Sequence, residues 1–274
     1  MDDLAAIDAL GAWFDAQAGA AVAVSGGIDS LTLSTVAGRR TGARTAMYHA
    51  VSPAVPPEAT ARVRELAARG GWNLKIIDAD EFGREEYVAN PVNRCFYCKQ
   101  SLYGVIGRHT QAQVVSGANT DDLGEYRPGL DAARDASVRH PFIELGIGKA
   151  AIRRIARELG LGALSELPAS PCLSSRVETG IGITPEMLAR IHAAERVVSA
   201  RLDAAAVRCR VRASGVVIEI DAATLATLGD ELRAQLAAEV RRIFPGEGPA
   251  PAFAPYRNGS AFLVKRDDRA RHPA

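Results

Sequence analysis

The sequence predicts an α/β protein in which a mostly parallel sheet covered by helices is followed by a smaller α+β domain. Short apolar runs alternate with segments of helical periodicity up to about residue 160. Polar, glycine-containing turns follow two of these runs, and a Gly-, Pro- and Ser-rich segment separates them from the rest of the chain. This pattern is typical of a doubly wound domain, in which ligands bind at the carboxyl ends of the strands.

The elements of the first half follow from its apolar runs and its chain breaks. We expect strands at 20–24, 43–51, 74–78 and Gln113–Ser116. We expect helices at 31–37, after the turn at 25–30, and at 58–69, after a proline-rich entry. A less regular stretch with two nearby cysteines precedes the fourth strand.

The periodicity stops at 160–184, where glycine, proline and serine recur. Loops of this length are usually functional or disordered, so we place the boundary here, between an α/β domain at 1–165 and a smaller α+β domain at 166–274. For the second domain we expect these elements in order: a helix at 185–201, a hairpin of Val207–Arg212 and 216–220, a helical region at 222–243, a Pro/Ala-rich stretch at 245–255, a strand at 261–264 and a frayed tail at 265–274.

The composition predicts a folded protein without a membrane span. Of the 274 residues, 47% are hydrophobic and 24% are charged, which is ordinary globular usage. No apolar run approaches the roughly 20 residues of a membrane helix, and the acidic start of the chain is a poor signal peptide. We therefore expect a cytoplasmic protein with no membrane partner.

The charge balance argues against broad nucleic-acid binding. The formal net charge is +1, and only four of the 33 basic residues are lysines. Arginine favours bidentate contacts with anions, so we expect local anion sites rather than a diffuse basic field. A small-molecule substrate is therefore preferred over a nucleic acid.

The turn at 25–30 connects the first strand to a helix. In such a turn the backbone N–H groups, the hydroxyls and the helix dipole point to one spot and favour an anion. The turn has no lysine, so it differs from the Walker pattern. The alternative is a tight turn in which Ser and Asp are ordinary helix caps. The candidate residues are Ser25, Gly26, Gly27, Asp29 and Ser30.

A second polar segment, 116–122, follows the fourth predicted strand. In a parallel sheet it reaches the same edge as the turn at 25–30. Asp121 and Asp122 can hold Mg²⁺, which binds through a few carboxylates and waters. The alternative for either aspartate is an Asx turn.

Three of the four cysteines lie in segments that predict chemistry. Cys95 and Cys98 form a C-x-x-C pair, which is redox-active, metal-bound or coincidental. Cys172 lies in the long loop, and three converging thiolates would leave one iron of a cubane cluster open to substrate or sulfide. Zinc more often takes a fourth ligand. The alternative is two buried thiols and a lone loop thiol, and Cys209, in a predicted strand, is expected to be structural.

The turn Ser-Gly-Gly-Ile-Asp-Ser resembles the PP-loop of the ATP pyrophosphatase superfamily, and 116–122 is similar to the segment that lines the same pocket. The resemblance implies that the loop holds the pyrophosphate of ATP while the α-phosphate is attacked. The products are an adenylated substrate and pyrophosphate. It also implies an ATP and Mg²⁺ site that includes the turn residues together with Gly117, Asn119, Asp121 and Asp122.

Longer motifs narrow the resemblance. The chain resembles the LarE family of ATP-dependent sulfur transferases over about 20–244. The motifs that carry the resemblance are PASPCLSSR, SPAVPP, NRCFYC, ANTDDLGEYRPGL, ELGIGKAAIRRIARELGL and VRCRVRASGVVIEI. This implies adenylation of a carboxylate of pyridinium-3,5-biscarboxylic acid mononucleotide. Sulfur then replaces AMP and leaves a thiocarboxylate for nickel-pincer cofactor synthesis.

The family has two branches that differ in the source of sulfur. In one branch the loop cysteine gives up its own sulfur, and in the other three cysteines hold a [4Fe-4S] cluster that carries it. Because Cys95, Cys98 and Cys172 are all present, the sequence matches the cluster-bearing branch. These three cysteines are then both the catalytic residues and the cluster ligands.

Arg208, Arg210 and Arg212 alternate along a predicted strand and share one of its faces. Their mutual repulsion predicts an anion opposite them, which is either a substrate or a carboxylate of the partner strand. The family resemblance implies a substrate-phosphate site that comprises Arg176, Arg208, Arg210, Glu195 and Glu219.

Other functions stay open at this point. A cluster-dependent tRNA thiolase would use the same loop and cysteines, although near-neutral charge and the lack of zinc-ribbon cysteines argue against RNA. The same sulfur transfer with Cys172 as a sacrificial donor is another alternative. A non-enzymatic ATP-binding module would leave the cysteines unexplained. The resemblance implies a homo-oligomer and leaves the sulfur source unknown, and the turn at 213–215 departs from the His-containing turn of the family.

Overall fold

The computed structural model describes residues 2–124, 126–167, 172–246 and 248–263. The described chain separates into two compact units. Unit 1 comprises Met1–Arg84 and Asn93–Ser170, and unit 2 comprises Glu85–Val92 and Pro171–Pro273, each within its described residues. The short segment Glu85–Val92 therefore belongs to the unit formed by the second half of the chain.

The helices and strands follow one another through both units. The strands are β1 (Ala20–Ala23), β2 (Thr45–Ala50), β3 (Asn73–Ile77), β4 (Gln113–Ser116), β5 (Val207–Arg212), β6 (Gly215–Ile220) and β7 (Ala252–Pro255). The helices are α1 (Asp3–Asp15), α2 (Ile28–Thr41), α3 (Pro57–Gly70), α4 (Glu85–Val88), α5 (Arg94–His109), α6 (Pro128–Asp135), α7 (Pro141–Glu144), α8 (Lys149–Glu158), α9 (Pro185–Ser199), α10 (Ala222–Thr227) and α11 (Asp230–Ile243). Short 3₁₀ segments lie at Gly42–Arg44, Glu81–Gly83, Thr120–Gly124, Gly162–Glu166 and Leu173–Arg176. In the part of the chain described here, every helix is too short or too polar to cross a bilayer.

Unit 1 contains a parallel four-stranded sheet in the order β3-β2-β1-β4. The chain adds β2 and β3 on one side of β1 and then places β4 on the other side. The junction of β1 and β4 is therefore the topological switch point, where open α/β sheets bind ligands. The predicted α/β class with a parallel sheet is confirmed.

Strand β1 is central because every one of its side chains can be buried. Ala20 and Val22 face a core cluster that includes residues of α1, α2 and α8. Ala21 and Ala23 face the opposite cluster, which includes residues of α5 and α6. Because successive side chains of a strand point to opposite faces, helices cover the sheet on both sides.

Local signals in the sequence set the starts of two helices near the sites. Pro57 and Pro185 occupy the first turns of α3 and α9, where a missing N–H costs no hydrogen bond. Thr184 accepts a hydrogen bond from the backbone N–H of Met187 and caps α9. Gly71, at φ +61°, ends α3.

Unit 2 contains a three-stranded sheet in the order β5-β6-β7, and α9 packs on β5 and on α11. β5 and β6 form an antiparallel hairpin, as predicted, with Arg208 opposite Glu219 and Arg210 opposite Val217. Val207 and Cys209, which alternate with these arginines, are buried. The hairpin therefore has an apolar face and an arginine-bearing face.

The helical region predicted at 222–243 is present as two helices, α10 and α11, because Gly229 adopts an extended conformation and caps α11. The strand predicted at 261–264 is wrong within the described residues. Residues 261–263 are not a strand, and Val264 lies outside the described residues, as does the tail at 265–274. The last strand is instead β7, in the Pro/Ala-rich stretch 245–255, where pairing with β6 determines the conformation.

Candidate functional site

The turn after β1 is closed by the hydroxyl of Ser30. This hydroxyl donates to the carbonyl of Gly27 at 3.0 Å and accepts from the backbone N–H of Ser25 at 3.0 Å. The Ser25 hydroxyl lies 3.1 Å from the Ser30 hydroxyl. Gly27 is the N-cap of α2 and has no side chain with which to cap it. The first N–H groups of α2 are therefore suited to bind an anion at the N-terminal end of the helix.

Two glycines allow the neighbouring segments to approach this turn. Gly26 has φ +83°, and a Cβ there would lie 2.7 Å from the carbonyl oxygen of Ala59. A Cβ on Gly117, just after β4, would lie 2.9 Å from the backbone nitrogen of Ser30 and 3.1 Å from the carbonyl carbon of Asp29. The segment after β4 thus packs directly on the first turn of α2, at the switch point of the sheet.

Strand β2 and helix α3 each contribute one side chain that contacts this turn and that the sequence did not indicate. Buried His49 contacts the Val24 carbonyl through Nδ1 at 2.8 Å and the Thr60 hydroxyl through Nε2 at 2.9 Å. Burial lowers the pKa of His49, so its Nδ1 donates to the carbonyl as a neutral imidazole. Arg62 donates to the Gly26 carbonyl at 3.2 Å, and burial lowers its pKa as well.

Asp29, the second residue of α2, carries a buried Oδ1 with no hydrogen-bond partner among the described residues. Burial raises the pKa of this carboxyl; Asp122 acts in the same direction, and Lys149, Arg153 and Arg127 oppose the shift. A desolvated carboxylate oxygen without a donor is costly unless a ligand compensates it. A divalent cation bound with a phosphate is such a ligand, so the residues present fit Mg²⁺.

The predicted magnesium ligands Asp121 and Asp122 have different surroundings. Asp121 accepts from the backbone N–H of Lys149 at 2.6 Å and so supports the start of α8. Asp122 accepts from the N–H of buried Asn119 at 3.1 Å and pairs with Arg127 at 3.0 Å. The charge of Asp122 also raises the pKa of Asp29, and cation binding by Asp121 and Asp122 stays a prediction.

Further polar groups lie at the same edge of unit 1. Arg153 donates to the carbonyls of Ser165 and Leu167 at 2.5 and 2.7 Å and also acts on the Asp29 carboxyl. The Nδ1 atom of His140 lies 2.9 Å from the hydroxyl of Ser116, the last residue of β4. Burial lowers the pKa of His140, so the imidazole is neutral at pH 7. No motif or periodicity in the sequence indicated His140.

The C-x-x-C pair lies at the start of α5 in unit 1. Cys95 is exposed and Cys98 partly exposed, and residues three apart in a helix share a face. The N-terminal end of a helix stabilises thiolates. Gly129 of α6 packs against this turn, because a Cβ there would lie 3.2 Å from Cγ of Lys99.

Cys172 lies in unit 2, directly before the 3₁₀ turn Leu173–Arg176. Its side chain is partly exposed, but its carbonyl accepts from Nη1 of Arg176 at 3.2 Å. Arg176 is only 2% exposed and pairs with Glu195 through two hydrogen bonds of 2.9 and 3.2 Å. The thiol therefore sits on a turn whose backbone is fixed by a buried ion pair.

A second buried ion pair supports the same turn. Arg210 donates to Glu219 at 2.9 Å, to the Ser175 carbonyl at 3.1 Å and to the Arg257 carbonyl at 3.2 Å. Glu219 also accepts from Arg212 at 2.6 Å and from Ser260 at 2.6 Å. Carboxylate pairing, one of the two interpretations of this strand face, is thus present, and phosphate binding by Arg210 stays a prediction.

Arg208 has a different environment from the other two arginines of β5. Its guanidinium lies over the ring of Tyr256, 5.8 Å from the centroid. Burial, and then the nearby charge of Arg176, lower the pKa of Arg208. The charge of Glu195 opposes this shift, and Nη1 of Arg208 donates to the Val207 carbonyl at 2.7 Å. Phosphate binding by Arg208 stays a prediction.

The four cysteines, all in the described part of the chain, are in no disulfide. Cys209 is fully buried, and burial strongly raises the pKa of its thiol, as a structural cysteine requires. Neither unit brings together three or more His, Cys, Asp or Glu side chains suited to a metal ion among its described residues. A cluster held by Cys95, Cys98 and Cys172 stays a prediction of the sequence.

Comparison with known proteins gives relatives along much of the chain. No profile of a known protein family matches it. It is 38% identical to the uncharacterized protein slr1717 of Synechocystis sp. over 180 residues, 64% of this chain and 67% of the relative. It is 31% identical to the uncharacterized protein MJ0830 of Methanocaldococcus jannaschii over 204 residues, 73% of this chain and 77% of the relative.

A third relative has a functional name. The chain is 29% identical over 180 residues to the pyridinium-3,5-bisthiocarboxylic acid mononucleotide synthase of Lactiplantibacillus plantarum. The match spans 64% of this chain and 65% of that synthase, slightly less than two thirds of its length. The chain is thus a distant homologue of that enzyme.

The contact between Gly117 and α2 predicts the effect of one methyl group. We expect Gly117→Ala to lower Tm, because the backbone of Ser30 cannot move away without displacing the helix N-terminus. Gly107→Ala is the control, since a Cβ there meets no atom within 4 Å. In this exposed helix position it should stabilise by about 0.5–1 kcal/mol. Calorimetry measures both effects, and an unchanged Tm of Gly117→Ala contradicts the close packing.

The desolvated Asp29 carboxylate predicts that removal of its charge stabilises the folded chain. Asp29→Asn should raise Tm at pH 7, because the amide removes a charge that burial disfavours. Burial raises the pKa of Asp29 in the folded state above its value in the unfolded chain. The destabilisation of the wild type is therefore complete above the folded-state pKa and absent below the unfolded-state pKa. The increase in Tm caused by Asp29→Asn should thus shrink as the pH falls. Thermal unfolding between pH 4 and pH 8 measures this, with Asp15→Asn as the surface control. A lower Tm for Asp29→Asn at pH 7 is the contrary outcome.

Proposed function

This chain belongs to the family of slr1717 and MJ0830, and we propose that it is an ATP-dependent sulfur transferase that acts on a mononucleotide carboxylate. Its substrate would be pyridinium-3,5-biscarboxylic acid mononucleotide, by analogy with the named synthase. The observation that carries the proposal is the Asp29 carboxylate at the N-terminus of α2, whose Oδ1 has no partner among the described residues, within a chain homologous to that synthase. The site suits a metal-bound phosphate, as adenylation requires.

The first step activates the substrate. A carboxylate oxygen of the substrate attacks the α-phosphorus of ATP, the bond to the β-phosphate oxygen breaks, and pyrophosphate leaves with the electron pair. The N–H groups of the turn Ser25 to Ser30 would bind the pyrophosphate, and Lys149 and Arg153 would offset its charge. Asp29 and Asp122 would hold Mg²⁺, which would offset the negative charge of the phosphates. This step is needed because a free carboxylate is a poor electrophile.

The second step replaces AMP by sulfur. A sulfur nucleophile attacks the carbonyl carbon of the acyl adenylate, the carbon–oxygen bond to AMP breaks, and AMP leaves with the electron pair. Cys95, Cys98 and Cys172 would hold a [4Fe-4S] cluster, because three thiolates suit iron and leave one iron open. When bound, the cluster supplies a sulfide as the transferred sulfur. Arg176 and Glu195 keep the Cys172 turn in place.

Unit 2 carries the residues that suit the substrate phosphate. Arg208 is desolvated and lies beside Arg176, so an anion would stabilise it. Arg210 and Glu219 support this proposal indirectly, because their pairing keeps β5 and the Ser175 carbonyl together. Arg208→Ala should therefore raise the KM for the mononucleotide more than the KM for ATP.

Pyrophosphate release tests the proposed reaction. The anaerobically purified chain is incubated with ATP and Mg²⁺, and with the pyridinium mononucleotide, with bulk tRNA, or with neither. We expect release that depends on the mononucleotide, because its carboxylate is the attacking group. Release that depends on tRNA instead identifies a thiolase of RNA. Pyrophosphate release without either addition, or no release in any of the three reactions, overturns the proposal.

The three-cysteine cluster is tested by iron and sulfide analysis under anaerobic conditions. Wild-type protein should hold about four of each per chain, as a [4Fe-4S] formula requires, with the brown colour of such a cluster. Cys95→Ala should lose most of the iron and the capacity for multiple turnovers. Cys209→Ala is the matched control and should keep its iron, since this thiol is buried in the core of unit 2. A colourless wild-type protein whose Cys172 loses sulfur after turnover favours the sacrificial route.

A further inference from the structure

The segment Glu85–Val92 is placed unexpectedly in the structure. Along the chain it lies between β3 and the C-x-x-C pair, which both belong to unit 1, yet it packs as a part of unit 2. It contains α4 and ends two residues before Arg94, where α5 begins. Its buried side chains, Tyr87 and Asn90, are 1% and 0% exposed. Neither takes part in the adenylation or sulfur-transfer steps described above.

Tyr87 contacts the cysteine turn, which comprises Cys172 and the 3₁₀ turn Leu173–Arg176 that follows it, through Ser174. Its hydroxyl lies 2.7 Å from the hydroxyl of Ser174, which is 87 positions away in the sequence. Ser174 is the second residue after Cys172 and is fully buried. A hydroxyl pair of this length inside a protein fixes the positions of both groups, because losing it leaves a buried polar atom unsatisfied.

Asn90 binds the chain just after the cysteine turn. Its side-chain amide donates to the carbonyls of Glu178 and Ile181 at 2.9 and 3.0 Å, and to that of Val177 at 3.4 Å. Its backbone is left-handed, with φ +55°, a conformation that asparagine tolerates better than most residues. The Asn90 carbonyl also accepts from the N–H of Gly180 at 2.9 Å.

The cysteine turn is therefore fixed from two directions within unit 2. On one side, Arg176 and Arg210 bind the carbonyls of Cys172 and Ser175. On the other, Tyr87 and Asn90 bind Ser174 and the chain from Val177 to Ile181. The Cys172 side chain stays partly exposed while its neighbours are held. This combination suits a reactive or ligating thiol more than a structural one.

We propose that Glu85–Val92 is a positioning strap for Cys172, with Tyr87 and Asn90 as its positioning residues. The inference rests on the proposed function, in which the sulfur at Cys172 must meet an activated carbonyl carbon. Small displacements of a reacting group cost large factors in rate, so a strap that holds the turn contributes to sulfur transfer without touching the substrate. It makes no contribution to adenylation.

The reactivity of the Cys172 thiol tests the strap without any substrate. In the cluster-free full chain, the rate of iodoacetamide labelling at Cys172 is measured by mass spectrometry of the resulting peptides. Tyr87→Phe removes only the hydroxyl, and the loosened turn should expose the thiol and raise its labelling rate by about threefold or more, the factor for one lost buried hydrogen bond. Asn90→Gly keeps the left-handed backbone, removes the amide and should act in the same direction.

A double-mutant cycle and a control separate this effect from general destabilisation. Ser174→Ala should also accelerate labelling, and the double variant should accelerate it by less than the product of the two single-variant factors, because both changes remove the same contact. Tyr48→Phe, a change at a tyrosine of similar burial in unit 1, should leave the labelling of Cys172 unchanged. Wild-type labelling rates in Tyr87→Phe and Asn90→Gly, or equal acceleration in Tyr48→Phe, overturn the strap.

Activity measurements distinguish this inference from the proposed function. In single-turnover reactions with the mononucleotide, Tyr87→Phe should release pyrophosphate at the wild-type rate and form thiocarboxylate about tenfold more slowly. Equal loss in both steps means that Tyr87 is merely structural and overturns its positioning role. Failure of the wild-type chain to release pyrophosphate overturns the proposed function, whereas altered labelling of Cys172 in that case still supports the strap.

Discussion

The backbone of Gly117 lies against the first turn of α2 so closely that a methyl group there would come within 2.9 Å of the Ser30 nitrogen. This contact lies where the neighbouring strands β1 and β4 end. The Asp29 carboxylate lies in the same place, desolvated and with one oxygen that lacks a donor in the described part of the chain. The protein thus keeps a desolvated carboxylate that by itself is unfavourable for stability, an arrangement that is common at functional sites.

In unit 2, by contrast with Asp29, two buried charged side chains are paired with groups of opposite charge. The guanidinium groups of Arg176 and Arg210 are buried, and each has a carboxylate partner in Glu195 or Glu219. Removing one partner of such a pair is expensive, about 3–5 kcal/mol, so the pairs fix their surroundings even where their net contribution to stability is small. What they fix is the backbone on either side of the Cys172 turn. The guanidinium of Arg208 lies over the ring of Tyr256, and burial lowers its pKa while the charge of Glu195 opposes the shift.

The sequence predicted the sheet of unit 1 because buried parallel strands are continuous apolar runs, such as that of β1, bounded by turns. It indicated the turn at 25–30 and Gly117 because anion-binding turns have a local signature. It did not reveal His49, Arg62 or Tyr87, since their roles come from contacts with residues distant in the chain. Strand β7 was missed for a similar reason, because its conformation depends on pairing with β6. Tertiary contacts of this kind leave no periodic pattern.

The central claim is that one chain activates a carboxylate with ATP and then replaces one of its oxygens by sulfur. Mass spectrometry of a single anaerobic turnover with ATP, Mg²⁺ and pyridinium-3,5-biscarboxylic acid mononucleotide tests it most directly. We expect a thiocarboxylate product together with AMP in equal amount. Formation of ADP, or of AMP with the carboxylate returned unchanged, would contradict it.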